Sequence, residues 1–177
     1  MAADGFAQWT RRFEDERERR RAQGDPEWER GAVLHRAVWA GIQRFQVGED
    51  GDGANLVAKA EVVALRYYRA LRDGTDDALT REVAGRILAD ERRHVPFHCA
   101  RLHDSLAGLP AVTRRPVLAL WRLLLLAATL VVVADHGAGL RRLGVGRRRF
   151  AADVMASSAE VVEAVLTPRP DAWTGGA

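Results

Sequence analysis

A short segment in the middle of the chain constrains the fold most strongly. Glu91 and His94 are three residues apart, and His98 follows four residues later. On an α-helix, residues three or four apart share one face, with Cβ atoms about 5–6 Å apart. The same face carries apolar residues, as in a helix that packs on a core: Val83, Ile87, Leu88, Val95 and Leu102. A carboxylate and an imidazole placed there cost free energy unless they are paired or bind a metal.

An inward-facing Glu-x-x-His pair is the ligand motif of di-iron and di-manganese carboxylate bundles. The motif by itself is not specific, because short matches of this kind occur by chance in many helical proteins. Two interpretations of Glu91 and His94 are therefore open at this point. They are either metal ligands or a polar pair that is satisfied locally.

Composition narrows the class of protein. The 177 residues suit one domain, and 47% of them are hydrophobic, which is a globular composition. The 27 basic and 24 acidic residues nearly cancel, and no basic patch is flanked by stacking aromatics, so no nucleic-acid binding is expected. Cys99 is the only cysteine, which excludes an internal disulfide and multi-cysteine metal sites. The N-terminus shows no apolar signal core, so a cytoplasmic location is expected.

Hydrophobic periodicity predicts an all-α fold. Residues 1–25 are read as a charged N-terminal arm, either a frayed polar segment or a solvated helix, and 167–177 as a polar tail. Between them, residues 26–166 are predicted to form one helical domain. Its five predicted helices span about 27–48, 54–71, 78–104, 117–134 and 150–166.

The apolar run Val117–Ala134 contains a single charge, Arg122. Its eighteen residues lie at the lower limit for a membrane-spanning helix, and Arg122 would cost a few kcal/mol inside a bilayer. We therefore predict a buried bundle helix that ends at Asp135, preceded by a loop that Pro110 and Pro116 bracket. A membrane anchor is the alternative for this run.

A spacing argument links Glu61 to the central motif. A turn near Gly74 joins the second and third predicted helices. Glu61 lies about 14 residues before this turn and Glu91 about 16 residues after it. At about 1.5 Å rise per residue, the two carboxylates are expected at similar heights in an antiparallel hairpin. A glutamate facing a Glu-x-x-His at equal height is half of a di-metal carboxylate site.

Three segments of the chain resemble bacterial ferritin-like proteins, the four-helix-bundle family that carries a di-iron carboxylate site. They are Gln46–Ala54 (QVGEDGDGA), Glu61–Tyr68 (EVVALRYY) and Ala89–His94 (ADERRH). The resemblance covers residues 43 to about 102, and more loosely the chain up to 166. The family pattern is a glutamate, a Glu-x-x-His, a second glutamate and a second Glu-x-x-His.

Carried over to this chain, the resemblance implies four metal ligands: Glu49, Glu61, Glu91 and His94. The first Glu-x-x-His and the helix pair that would hold it are missing. In addition, Glu49 and Glu61 on one continuous helix would point about 120° apart. The resemblance therefore implies a shortened ferritin-like bundle, with an extra C-terminal apolar helix pair and an incomplete ligand set in each chain.

Three hypotheses about function follow. In the first, a homodimer completes a site for two iron ions, or for manganese, which acts in iron oxidation or in O₂-dependent oxidation of a small-molecule substrate. In the second, the chain is a degenerate, metal-free helical module for interaction or dimerisation. In the third, the apolar run 117–134 anchors the chain in a membrane. The first two hypotheses predict no membrane partner.

Overall fold

The computed structural model describes residues 3–49 and 57–167. These residues form six α-helices and one short 3₁₀-helix, with no strand among them, so the predicted all-α class is confirmed. The helices are α1 (Ala3–Gln23), α2 (Arg36–Glu49), α3 (Val57–Gly74), α4 (Ala78–Ala107), α5 (Ala111–Arg142) and α6 (Arg147–Leu166). The 3₁₀-helix spans Trp28–Arg30.

The chain divides into two compact units, Met1–Gly31 and Ala32–Ala177. The first unit contains α1 and the 3₁₀-helix. Of the two interpretations of the charged arm, the solvated helix is the one observed. Local contacts support it: Arg19 pairs with Glu16 at 2.7 Å across one helical turn, and the rings of Trp9 and Phe13 lie 6.2 Å apart.

In the second unit, α3 and α4 form the most extensive helix pair. Their turn is short because Asp77 caps α4: its Oδ1 accepts a hydrogen bond from the backbone N–H of Thr80 at 2.7 Å. The Oδ2 atom of Asp77 accepts a second bond, from the N–H of Val33 at 3.0 Å. A three-residue connection of this kind places α3 and α4 antiparallel. The observed bounds of α4 agree with the prediction to within three residues.

The remaining helices pack around this pair. Helix α6 contacts α3, α4 and α5, and α2 lies against α5. Hydrogen bonds tie α6 to both helices of the pair: Arg66 Nε donates to Ser157 Oγ at 2.8 Å, and His103 Nδ1 lies 2.7 Å from the carbonyl oxygen of Val165. The fully buried core side chains include Leu88, Leu125, Leu140, Phe150 and Val154.

The predicted start of the first core helix is wrong. A helix was expected from about Glu27, but α2 begins only at Arg36. Gly31 stands before it with φ near +62°, a conformation that ends the 3₁₀-helix and that side chains other than glycine rarely adopt. His35 caps the start of α2, because its Nδ1 atom accepts a hydrogen bond from the backbone N–H of Ala37 at 3.1 Å.

The predicted bounds of the apolar helix are also wrong. Residues 111–116 are helical rather than a loop, and the helix runs through Asp135 as far as Arg142. Pro116 lies inside α5, where it removes the hydrogen bond to the carbonyl of Val112. That bond belongs to the first two turns of the helix, so its loss does not break α5. Pro96 likewise lies inside the uninterrupted helix α4.

The expectation that this apolar helix is buried is wrong for most of its length. Among the described residues, α5 is the one helix long and apolar enough to cross a membrane, with a mean hydropathy of 2.5 over eighteen residues. Only 17% of that window is buried. One stripe of α5 packs inward through Leu118, Leu125, Thr129, Val133 and Leu140. Trp121 and Val132 are partly buried against the core, and seven other large apolar residues of α5 are exposed.

A matched pair of leucines tests this orientation of α5. Leu125 is fully buried, whereas Leu123 is 61% exposed. We expect Leu125→Ala to lower the free energy of unfolding by about 2–5 kcal/mol, because it leaves a cavity in the core. Leu123→Ala should change it by less than about 0.5 kcal/mol. Urea unfolding followed by circular dichroism measures both values, and equal losses for the two variants would contradict the orientation.

Candidate carboxylate and histidine site

The α3–α4 pair brings one carboxylate and one imidazole into direct contact. The Oε1 atom of Glu61 on α3 lies 2.9 Å from the Nε2 atom of His98 on α4. The Glu61 side chain is 12% exposed and that of His98 is 30% exposed. Partial burial strengthens such a pair relative to a surface ion pair, because less water screens it. Glu61 therefore faces the side of α4 that carries His98.

The partner of Glu61 differs from the one that the spacing argument gave. Equal heights above the turn placed Glu61 opposite Glu91, but its carboxylate pairs with His98, seven residues farther along α4. Side chains on a helix lean toward its N-terminus. In an antiparallel hairpin, Glu61 therefore leans away from the turn and His98 leans back toward it. Glu91 leans toward the turn, and thus away from Glu61.

Glu91 and His94 form a second, looser pair one turn apart on α4. The Nδ1 atom of His94 lies 3.8 Å from the Oε2 atom of Glu91, which is beyond hydrogen-bond distance. Their side chains are partly buried. The two residues thus share a face, as the motif predicts. Both carry donor atoms that suit iron, manganese or zinc.

The fourth predicted ligand cannot be placed. Glu49 is the last residue of α2, and its side chain lies outside the described part of the chain, as do the neighbouring residues 50–56. The prediction that Glu49 is a ligand stays a prediction.

The described residues of one chain do not by themselves make a complete metal centre. Within 3–49 and 57–167, no three or more His, Cys, Asp or Glu side chains are grouped so that they could hold a metal ion. The donors instead occur as the two pairs Glu61–His98 and Glu91–His94. The donor chemistry fits a transition metal, but the grouping within one chain falls short of a site.

Cys99 lies beside this cluster and is buried. Burial raises the pKa of its thiol to about 11, and the negative charge of Glu61 adds to the rise. Both effects disfavour the thiolate, which is the form that reacts and binds metals. Cys99 thus acts as a small apolar core residue.

A second polar cluster lies between α2, α3 and α5. The ring of Phe45 stacks on Tyr67 at 4.4 Å, and the buried His136 meets both rings edge-on. The Asp135 carboxylate pairs with Arg44 at 2.6 Å, and burial raises the pKa of the Tyr67 hydroxyl. Sequence reasoning placed Asp135 and His136 at a helix end. They lie inside α5, where they join it to α2.

Comparisons with known proteins add no relative. No family model, no curated protein and no solved structure matches this chain. The resemblance to ferritin-like proteins therefore depends on the three short segments that carry it.

The raised pKa of Cys99 gives a test of the packing around Glu61. At pH 8, the ionised fraction of a thiol with a pKa near 11 is about one-hundredth of the ionised fraction of a thiol with the ordinary pKa of 9.0. We therefore expect iodoacetamide to modify native Cys99 at least about 100-fold more slowly than Cys99 in the urea-unfolded chain. The native rate should rise with pH up to about 11. Mass spectrometry of timed samples gives both rates, and similar rates would show that the thiol is accessible.

Proposed function

We propose that this chain binds a transition metal, iron or manganese, at the α3–α4 pair, and that a second copy of the chain completes the site. The observation that carries the proposal is the contact of Glu61 with the histidine-bearing face of α4, at 2.9 Å from His98. An antiparallel hairpin that aligns carboxylates with imidazoles in a partly buried position is the arrangement that such metals need.

The residues that would hold the metal are Glu61, Glu91 and His94, with His98 as an additional donor and Glu49 as a predicted one. Carboxylates supply negative charge that favours the higher oxidation state of iron, and imidazoles supply nitrogen ligands. A bound metal would supply redox chemistry, so we assign the chain to iron oxidation or to O₂-dependent oxidation. Partial burial of the four side chains limits the access of water to the site.

A second chain enters the proposal because the donors of one chain occur in pairs. A two-fold axis relates identical surfaces, so each chain would offer the same ligands to a shared centre. Two copies then supply four carboxylates and four imidazoles from the residues Glu61, Glu91, His94 and His98. That number is enough for a di-metal centre of the carboxylate type.

A second candidate function is favoured by the same 2.9 Å contact. The Nε2 atom of His98 lies within hydrogen-bond distance of the Glu61 carboxylate, so the carboxylate needs no metal to be tolerated in a partly buried position. In this case the chain is a metal-free helical interaction module that keeps the fold and has lost the cofactor. Metal analysis distinguishes the two candidates.

Replacing one ligand carboxylate tests the metal proposal. After anaerobic addition of Fe²⁺ to the purified chain, we expect about one iron per chain, as for a centre of two ions shared by two copies. Glu91→Gln keeps the shape of the side chain but removes its charge, and should weaken iron binding at least about tenfold. Inductively coupled plasma mass spectrometry after desalting measures the bound metal.

Glu82→Gln is the matched control, because Glu82 is a carboxylate on the same helix and pairs with Arg86. This variant should leave iron binding unchanged. Light scattering with and without Fe²⁺ reports whether two chains associate. Fewer than about 0.2 iron or manganese ions per chain in the unaltered protein would favour the metal-free module. Equal losses in the two variants would show that Glu91 is not a ligand.

A further inference from the structure

The surface of α5 that points away from the other described helices of the second unit is apolar and exposed. We define the outward face as Val112, Val117, Leu120, Leu123, Leu124, Leu130 and Val131, which are all exposed large hydrophobic residues. Their spacing of three, four and seven residues places them along one side of the helix. From the first to the last, they extend over about 29 Å. A contiguous apolar face of this length marks a binding surface.

Arg122, the single charge within Val117–Ala134, does not lie on the outward face. It follows the buried Leu118 by four residues and precedes the buried Leu125 by three. Its side chain is exposed, but this spacing places it on the side of the two buried leucines, away from the outward face. If α5 crossed a bilayer, Arg122 would enter the hydrocarbon region. If α5 instead lies parallel to the membrane surface with its outward face inserted, Arg122 remains outside the hydrocarbon region.

Exposed arginines cluster at the C-terminal end of α5. Arg141 and Arg142 end the helix, and Arg147, Arg148 and Arg149 begin α6 after a short turn. Arg149 Nε lies 3.9 Å from the Asp153 carboxylate, which is a long distance for an ion pair. Five exposed arginines beside an apolar face are complementary to a surface that is apolar inside and negatively charged outside.

A second copy of α5 is a poorer partner for this face. Arg114 and Arg115 lie near its N-terminal end, and the arginine cluster lies at its C-terminal end. Antiparallel pairing of two α5 helices would bring one positive end against the other. Parallel pairing would bring each arginine cluster against its copy. Like charges repel in both arrangements.

The neighbours of α5 argue against a helix that spans the bilayer. Helix α6 packs along α5 and exposes Glu160 and Glu163 in addition to its arginines. A spanning α5 would carry these charges into hydrocarbon, at a cost of several kcal/mol. In an orientation parallel to the membrane surface, α6 and α2 stay on the water side of α5.

We propose that α5 binds the surface of an anionic lipid bilayer, with its outward face inserted at the boundary between headgroups and acyl chains and with the arginine cluster on the headgroups. Helices that combine an apolar face with arginines bind membranes in this orientation, without crossing them. The proposal is independent of the metal site, since it depends on α5 and on the first turn of α6 alone.

Flotation of the full-length protein with lipid vesicles tests the proposal. We expect binding to vesicles of phosphatidylcholine with about 30% phosphatidylglycerol, and at least about tenfold weaker binding to phosphatidylcholine alone or in 1 M salt. Val131→Glu places a charge on the outward face and should weaken binding at least tenfold. Val33→Glu is the matched control, because Val33 is exposed but lies outside the helices, and it should bind like the unaltered protein.

Circular dichroism verifies that each variant is folded, and Leu123→Glu replaces Val131→Glu if the latter does not fold. Loss of binding in the outward-face variant with retention in the control supports the proposal. It is overturned by three outcomes: no vesicle binding by the unaltered protein, equal binding by both variants, or a dimer that Val131→Glu dissociates without changing vesicle binding. A protein that detergent releases from membranes, but that alkaline carbonate does not release, would contain a spanning helix. That result would also overturn the proposal.

Discussion

The antiparallel packing of α3 on α4 is the interaction on which the rest of the second unit depends. It is set at the turn, where the carboxylate of Asp77 holds the N–H groups of Thr80 and Val33. Once this turn is fixed, every contact along the two helices is fixed with it, including the pair Glu61–His98 and the burial of Cys99. Helix α6 then packs across both helices and links them to α5.

Close approach of backbones explains why α5 is covered on one side only. A Cβ atom on Gly139 would lie 2.9 Å from the carbonyl oxygen of Ala37, and one on Gly41 would lie 2.8 Å from the hydroxyl oxygen of Tyr67. Glycine at position 139 lets the backbone of α2 lie directly on the C-terminal half of α5, and glycine at position 41 leaves room for the Tyr67 hydroxyl of α3. Leucines and valines occupy the opposite side of α5, where they are exposed among the described residues of the second unit. The asymmetry is therefore built into the sequence of α5 itself.

The parts of the fold that periodicity predicts well are those where packing and local propensity agree. Helices α3, α4 and α6 were predicted to within a few residues, because each has a regular apolar stripe and a clear stop signal. The bounds of α5 were missed because Pro116 and Asp135 were read as breaks. A proline near a helix start costs little, and Asp135 is held by Arg44 of α2, a long-range contact that no local pattern reveals. The contact of Glu61 with His98 was missed because the spacing argument compared only the positions of Cα atoms along the helices. It did not include the tilt of the side chains toward the N-terminus of each helix.

The contact at Glu61 links the two candidate functions. A partly buried carboxylate needs a polar partner, and in this structure the Nε2 atom of His98 lies within hydrogen-bond distance of it, at 2.9 Å. A metal ion at Glu61 would take over that role, and the imidazole of His98 could then act as a ligand. The metal and the Glu61–His98 contact would thus compete for the same two side chains. Without a metal, the same helix pair keeps the Glu61 carboxylate partnered through His98, so one fold serves both candidate functions.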